Sequence, residues 1–215
     1  MEPIGRVLAV SVGQPRSVPH DGATVRTAIF KEPVDHPVLL TRLGFEGDGQ
    51  ADRRVHGGPA RAAYLYPFEH YAHWAPRLGG GELPFSQFGE NLTTEGLLED
   101  TVHVGDVFAM GQARVQVSSP RGPCFKLGIR TGDPSIVKPF LASRKLGFYL
   151  RVLEEGRVAA GDAIALVAAD PAGVTMAELI GAIYDTPPDP ARIARVLACR
   201  AVFAEDREYL EKPRA

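Results

Sequence analysis

The sequence predicts a mainly β fold with some α-helix: a β-barrel-like core followed by a small unit of three helices. Many short strand-forming segments lie at close spacing through most of the chain, with few long helices, as is typical of β-barrels. Past Ala169 the pattern changes to short amphipathic helices with capping signals. We therefore expect a barrel domain over residues 1–169 and a three-helix extension over residues 170–215.

Alternating apolar positions and β-branched residues predict the strands of the barrel. They cover residues 4–12, 23–30, 38–43, 62–66, 102–110, 113–118, 148–153 and 163–167. Proline and glycine predict loops over residues 13–22 and 44–59, and a further loop is expected over residues 154–162. A helix is expected from Pro67 to Trp74, and another over residues 134–142, where Pro139 should kink or end it.

Three helices are predicted near the end of the chain. The first begins with a capping box from Thr175 to Glu178, and the second with Asp189 as N-cap and Pro190 in the first turn. The third covers residues 202–210. Each is too short to be stable alone in water, so we expect them to pack on one another or on the barrel.

Composition limits the classes of protein to consider. The chain has 215 residues, of which 45% are apolar, and no apolar run is long enough to cross a membrane. The N-terminal region has no apolar block like that of a signal peptide, so we expect a cytoplasmic protein without a membrane partner. Its two cysteines, Cys124 and Cys199, are too few for an iron–sulfur cluster or a structural zinc site. Any redox chemistry must therefore use another cofactor.

Positive charge is concentrated in the middle of the chain. The net charge is −2, yet residues 107–153 carry only one anion, Asp133, and eight cations: Arg114, Arg121, Lys126, Arg130, Lys138, Arg144, Lys145 and Arg151. A basic segment in an acidic chain favours a local anion site over a surface that binds a nucleic-acid polymer. A solvated surface with a compositional preference for arginine is the alternative interpretation.

Cys124 lies in the segment Ser-Ser-Pro-Arg-Gly-Pro-Cys-Phe-Lys-Leu, residues 118–127. Two prolines and a glycine make an irregular backbone there, and Arg121 and Lys126 flank the cysteine. Neighbouring cations favour a thiolate, which is the nucleophilic and metal-binding form of cysteine. The alternative is a small buried apolar side chain, which is a common setting for a free cysteine.

Two further segments carry polar residues of interest. The glycine-rich loop 47–58 contains Asp48, Arg53, Arg54 and His56, and its backbone and arginines suit an anion. An ordinary loop in which aspartates pair with the arginines is the alternative. Asn91, within Gly89-Glu90-Asn91-Leu92, offers an amide, although asparagine is also common in turns. Motifs of phosphate-binding loops, zinc proteases and serine hydrolases do not occur.

In this order, the three segments resemble the MOSC family, named for the C-terminal domain of molybdenum cofactor sulfurase, and in particular its YiiM-like branch. The likeness extends over roughly residues 5–167. It implies a β-barrel that binds a molybdenum cofactor, a pterin that carries molybdenum, with Cys124 as the thiolate ligand to the metal. It assigns Arg53, Arg54, His56 and Asn91 to the cofactor pocket, with Arg121 and Lys126 balancing the cofactor's negative charge. Lys31 is expected to contact the phosphate by charge alone.

The resemblance also implies an activity, the reduction of N-hydroxylated compounds such as hydroxylaminopurine bases. Catalytic roles then fall to Cys124 and to His56 or Asp48, either of which is a hypothetical proton donor. We see no flavin, haem or iron–sulfur motif, so a reductase would need a separate electron-donor protein. The helical extension would then dock that donor or a second copy of the chain as a homodimer, or simply cover the barrel.

Two other functions stay open from the sequence. In one, the protein is a sulfur-carrier or cofactor-delivery module in which Cys124 holds a persulfide or the cofactor. In the other, it is an anion-binding protein with an inert cysteine.

Overall fold

The computed structural model of the chain describes residues 2–50 and 58–212. Its strands are β1 (Gly5–Val12), β2 (Arg16–His20), β3 (Ala23–Thr27), β4 (Glu32–Val34), β5 (Val38–Thr41), β6 (Gly44–Phe45), β7 (Ala63–Pro67), β8 (Leu92–Glu95), β9 (Val107–Met110), β10 (Ala113–Pro120), β11 (Phe148–Glu154), β12 (Gly156–Val158) and β13 (Ala163–Ala168). Its α-helices are α1 (Tyr71–Trp74), α2 (Phe125–Thr131), α3 (Val137–Ser143), α4 (Met176–Tyr184), α5 (Pro190–Ala198) and α6 (Ala204–Glu211).

Seven of the described strands close into a barrel. They follow the order β13, β9, β10, β11, β7, β8 and β1, and β1 pairs back with β13 through Gly5 and Ile164. The barrel is mixed because β7 and β8 run parallel, with Leu65 opposite Leu92, whereas its other neighbours are antiparallel. Closure removes exposed strand edges from the ring. The expected β-barrel with a helical extension is thus confirmed.

Two smaller sheets extend the barrel. Strands β2 and β3 form a hairpin that turns at Asp21 and Gly22, both of which have positive φ. Strand β5 pairs with β12 and β6 in a three-stranded sheet. The loops that follow the hairpin and β6 lead into the cleft described below.

Apolar side chains fill the barrel interior and a neighbouring aromatic cluster. Val115 and Val117 alternate inward along β10, and Phe148 and Leu150 do so along β11. The aromatic cluster joins β7, α1 and α3 through buried rings: Tyr66, Trp74, Phe88 and Phe140. Pairs of this kind contribute about 0.5–1.5 kcal/mol beyond the burial of apolar area.

The C-terminal helices pack on one another and on the barrel. Thr175 caps α4, accepting a hydrogen bond from the amide of Glu178, whose carboxylate accepts from the Thr175 amide in return. Asp189 caps α5, as the sequence predicts. Arg61, in a 3₁₀ turn before β7, donates to Glu205 of α6 over 2.7 Å and so ties the last helix to the barrel.

Some local predictions are wrong. Strand β2 lies in the expected loop 13–22, β6 lies in 44–59, and β12 lies in 154–162. Pro139 neither ends nor interrupts α3, because it is the third residue of that helix, where its missing N–H is not needed. The division at residue 169 stays a prediction. Among the described residues, no helix has the length and apolar character needed to cross a membrane.

Candidate functional site

A cleft of about 700 Å³, which includes its mouth open to solvent, collects residues from six separate parts of the chain. Six of the predicted site residues line it: Lys31, Asp48, Asn91, Arg121, Cys124 and Lys126. Thr27, Ala28, Ile29 and the backbone of Gly49, Gly89 and Gly122 complete much of its wall, with Gln50, Arg61, Tyr64 and Tyr149. The other predicted residues, Arg53, Arg54 and His56, lie outside the described residues.

Cys124 stands where strand β10 gives way to helix α2. The strand ends at Pro120, and Cys124 is the extended N-cap residue of the helix, with φ −132° and ψ 173°. Prolines at 120 and 123 keep the intervening chain out of a regular ladder. The cysteine is half-buried and lines the cleft, whereas Cys199, the C-cap residue of α5, is buried and lies outside the cleft. The first of the two cysteines is therefore the one placed for chemistry.

Arg121 carries a buried positive charge with no acidic partner in the described part of the chain. Its residue is 6% exposed, its guanidinium lies 4.8 Å from the centre of the Tyr64 ring, and no carboxylate pairs with it among the described residues. Lys126, also lining the cleft, makes no ion pair with any described residue. Because buried charges in proteins are normally paired, the buried Arg121, with the half-buried Lys126 in the same cleft, indicates a site that takes an anion.

Lys31, Asp48 and Asn91 form a connected network on the opposite wall. The Asp48 carboxylate accepts from the Lys31 ammonium at 2.5 and 2.6 Å, from the Asn91 amide at 2.9 Å and from the backbone N–H of Gly13 at 2.8 Å. Burial lowers the pKa of Lys31, and the charge and hydrogen bonds of Asp48 oppose this effect. Asp48 therefore holds Lys31 and Asn91 in place.

Asn91 also joins two barrel strands. Its side-chain amide donates to the carbonyl of Ser11 on β1 and accepts from the backbone N–H of Tyr64 on β7, each over 3.2 Å. The turn before it is fixed by Gly89, which has a φ of +80°, and a Cβ there would lie 2.5 Å from Ile29. The turn predicted from the sequence therefore also holds the wall of the cleft in place, through the bonds of Asn91 to β1 and β7.

Glu90 fixes the same turn from inside the core. Its fully buried carboxyl accepts from the Tyr71 hydroxyl, from the Phe88 amide at 3.0 Å and from the Thr93 hydroxyl at 3.2 Å. Burial raises the pKa of this carboxyl, and those hydrogen bonds oppose the rise. Glu90 thus points away from the cleft while Asn91 points toward it.

Only part of the basic middle segment reaches the cleft. Arg114 pairs with Glu154 at 3.4 Å and Arg144 pairs with Asp185 at 2.7 Å, both on other faces of the molecule. Among the eight cations of residues 107–153, Arg121 and Lys126 are the ones in the cleft wall. The anion site therefore involves only two of the eight cations in the basic segment that suggested it.

Sequence reasoning missed three residues of the site. Tyr64 on β7 and Tyr149 on β11 are direct partners across neighbouring strands, and their rings are 5.5 Å apart in the wall of the cleft. Arg61 lies over the Tyr149 ring at 5.9 Å. No local signal marks them, because the pairing of β7 with β11 joins positions 85 residues apart.

The donor set fits a metal that brings most of its own ligands. Among the described residues, no group of three or more His, Cys, Asp or Glu side chains is placed to hold a bare metal ion. One half-buried thiol beside cations that no described carboxylate pairs with instead suits a soft metal carried by an anionic organic group. A pterin with sulfur ligands and a phosphate is a group of that kind.

Comparisons with known proteins identify the family to which this fold belongs. The model of the MOSC domain family matches residues 52–165. Protein YiiM of Escherichia coli is 37% identical over 190 residues, covering 87% of this chain and 84% of that protein. A crystal structure of YiiM from Geobacillus stearothermophilus superposes with a TM-score of 0.80 at 32% identity, covering 96% of this chain and 97% of that chain.

A protein named reductase from Gibberella moniliformis is 34% identical over 151 residues. The match covers 68% of this chain but 26% of that longer protein. From the family model, the relatives and the shared barrel, the chain belongs to the MOSC domain family, which is associated with the molybdenum cofactor, and is a YiiM-like member of it.

Proposed function

We propose that this protein is a molybdenum-cofactor-dependent reductase of N-hydroxylated compounds, such as hydroxylaminopurine bases. The observation that carries the proposal is the half-buried thiol of Cys124 in one cleft with two cations, Arg121 and Lys126, that have no acidic partner among the described residues. Membership of a cofactor-associated family and likeness to part of a reductase support it. When bound, the cofactor supplies the two-electron chemistry that removes oxygen from nitrogen.

Each side of the cleft has a part in holding the cofactor. Cys124 is the protein's ligand to the metal, and Arg121 and Lys126 balance the negative charge around it. Lys31 lies on the opposite wall, where Asp48 and Asn91 fix it, and it contacts the terminal phosphate. Arg53, Arg54 and His56 belong to the same pocket in this proposal, by their place in the family motif.

Proton delivery remains assigned to His56 or Asp48 as a hypothesis. Asp48 already accepts hydrogen bonds from a side-chain ammonium, a side-chain amide and a backbone N–H. This arrangement supports a positioning role for Asp48 and leaves His56 as the better donor, because its ordinary pKa suits neutral pH.

The proposal is tested with protein made in a host that synthesises the molybdenum cofactor. Reduced viologen dye serves as the electron donor, and dye oxidation is followed before and after adding 6-N-hydroxylaminopurine. We expect oxidation only with the substrate present, lost in Cys124→Ser. Cys199→Ser is the matched control, because Cys199 lies outside the cleft beside the carbonyl of Val104 and the carboxylate of Asp170.

Two results would contradict the proposal. Dye oxidation that persists in Cys124→Ser would show that the thiol is not required. Protein that carries labile sulfur on Cys124, retains no molybdenum and oxidises no dye would favour a sulfur-carrier function.

A further inference from the structure

A second cavity adjoins the cleft and shares Cys124 with it. It lies between the end of β10 and helices α4 and α6, and Arg61, Gly122 and Tyr149 also line both spaces. Its own walls are Ser119, Pro120, Ile183, Tyr184, Glu205, Asp206 and Tyr209. A molecule in this cavity would reach the cysteine from the side of the helical extension, and not from the side of Lys31 and Lys126.

The two spaces differ in charge. The cleft holds the cations Lys31, Arg121 and Lys126, whereas the described residues particular to the second cavity include two carboxyl groups, Glu205 and Asp206, and no cation. The shared Arg61 is engaged with Glu205 at 2.7 Å. An anionic group is therefore favoured in the cleft, and a neutral ligand is favoured in the second cavity.

Aromatic side chains give the cavity a preference for flat ligands. Tyr149, Tyr184 and Tyr209 contribute to its wall, from β11, α4 and α6. The Tyr209 residue keeps 46% of its surface exposed although it lies beside the cavity. Stacking of a nucleic-acid base on such a ring contributes about 1–3 kcal/mol to the free energy of binding, whichever base it is.

Asp206 is the unusual polar residue in this wall. Its Oδ2 atom is shielded from solvent and makes no hydrogen bond with any described residue. Burial raises the pKa of its carboxyl, the Ser119 hydroxyl and the Arg61 guanidinium oppose the rise, and Glu205 adds to it. Among the tyrosines of this wall, burial raises the pKa of Tyr184 to about 12 and also raises the pKa of Tyr149, so both hydroxyls are neutral. An unpaired buried carboxylate oxygen is unfavourable, and the neutral acid avoids that cost while offering an O–H donor.

We propose that the second cavity binds the ring of the substrate, a neutral planar N-heterocyclic base, with the shielded carboxyl group of Asp206 hydrogen-bonded to the base and the tyrosines against its faces. The N-hydroxyl group then extends toward Cys124 at the junction of the two spaces. This inference rests on the proposed function for the identity of the base, while the binding site itself is tested independently of any turnover.

Adenine is the probe, because it is the product expected from 6-N-hydroxylaminopurine and cannot be reduced further at that position. Its binding to the full-length protein is measured by titration calorimetry. We expect Asp206→Ala and Tyr209→Ala each to raise the Kd about tenfold, from the loss of a hydrogen bond or of stacking. Glu208→Gln, an exposed change on the same helix outside the cavity wall, should leave the Kd unchanged.

The acid form of Asp206 makes a further prediction about pH. Affinity of the unaltered protein for adenine should fall as the pH rises through the pKa of Asp206, because the carboxylate no longer donates. Asp206→Asn keeps an uncharged polar group at every pH, so the affinity of this variant for adenine should not change as the pH rises through the same interval. A merely structural role for Asp206 would not produce this difference.

The outcomes separate this inference from the proposed function. Absence of adenine binding, or equal Kd values in the unaltered protein and in Asp206→Ala and Tyr209→Ala, would overturn the inference even if viologen oxidation is normal. Binding that follows the predicted pattern in a protein that oxidises no dye would uphold the inference and count against the reductase activity.

Discussion

At the scale of one residue, Arg121 shows how the requirements of ligand binding conflict with the stability of the fold. Its guanidinium is buried against the rings of Tyr64 and Phe140, and no carboxylate among the described residues neutralises it. A buried charge without a partner destabilises a protein unless a ligand supplies the opposite charge. We infer that the cofactor supplies that charge.

Replacing Arg121 by methionine should therefore have two opposite effects. Without cofactor, Arg121→Met should raise the free energy of unfolding by about 1 kcal/mol, because an unpaired charge is replaced by an apolar side chain of similar length. The same variant should lose its molybdenum. Urea denaturation of cofactor-free protein and metal analysis of protein from a cofactor-producing host measure the two effects.

Arg114→Met is the matched control, since Arg114 lies on an exposed part of β10 and pairs with Glu154. It should change neither stability nor molybdenum content appreciably. If Arg121→Met destabilised the protein and kept its metal, Arg121 would be a structural residue.

Glu90 makes the stability of the fold depend on pH. Burial raises the pKa of its carboxyl above the ordinary 4.5, so the folded protein keeps this proton to higher pH than the unfolded chain does. The unfolded chain then binds fewer protons in that interval, and the free energy of unfolding falls as the pH rises through it. Glu90→Gln removes the titrating group, so the free energy of unfolding of this variant should fall less steeply as the pH rises.

Denaturation at a series of pH values that rises from the ordinary pKa of 4.5 tests this prediction. Glu82→Gln is the control, because Glu82 is exposed, and it should leave the slope unchanged. An identical slope for Glu90→Gln and the unaltered protein would show that Glu90 does not titrate in this interval.

Individual residues of the site could be predicted from the sequence only where a local motif or a charge distinguished them. Cys124, Arg121 and Lys126 share one short segment, and Lys31 and Asn91 stood out as a cation at a strand end and an amide in a turn. Tyr149 and Asp206 were not predictable in this way, because they reach the site through strand pairing and helix packing. No sequence pattern indicates which helical aspartate will have a carboxylate oxygen without a hydrogen-bond partner.

At the scale of elements, the capping box of α4 sets where the helical extension begins. Thr175 and Glu178 exchange hydrogen bonds between side chain and backbone, and β-bridge contact joins Thr175 to His103 beside the barrel. Thr175→Ala should lower the free energy of unfolding by about 1 kcal/mol, because the amide of Glu178 loses its acceptor, the Thr175 hydroxyl.

Equilibrium denaturation measures this loss. Thr24→Ala, an exposed threonine of β3, is the control and should change stability by less than about 0.5 kcal/mol. A Thr175→Ala variant as stable as this control would mean that packing alone defines the start of α4.

Caps and alternation predicted the longer elements well, including the hairpin of β9 and β10 and the starts of α4 and α5. The short strands β2, β6 and β12 were missed because glycine and proline around them indicate loops, whereas pairing with β3 and β5 makes them strands. Helix α2 was missed because Cys124 follows a proline, and the helix begins just after it.

At the scale of the molecule, the fold brings two chemically different spaces together at one sulfur atom. The closed barrel and its hairpin supply the cationic cleft, and the helical extension adds the acidic and aromatic wall of the second cavity. The Arg61–Glu205 pair and the Arg61 contacts with Tyr149 and Phe203 join the two parts at that boundary. In this account the barrel holds the cofactor, and the extension forms the place for the substrate.

Molybdenum content is the most direct test of that account. Protein purified from a cofactor-producing host is analysed for metal beside Cys124→Ser and Cys199→Ser, after circular dichroism has shown that all three are folded. We predict near-stoichiometric molybdenum in the unaltered protein and in Cys199→Ser, and its loss in Cys124→Ser. Molybdenum retained equally by Cys124→Ser, or absent from all three proteins, would contradict the central claim.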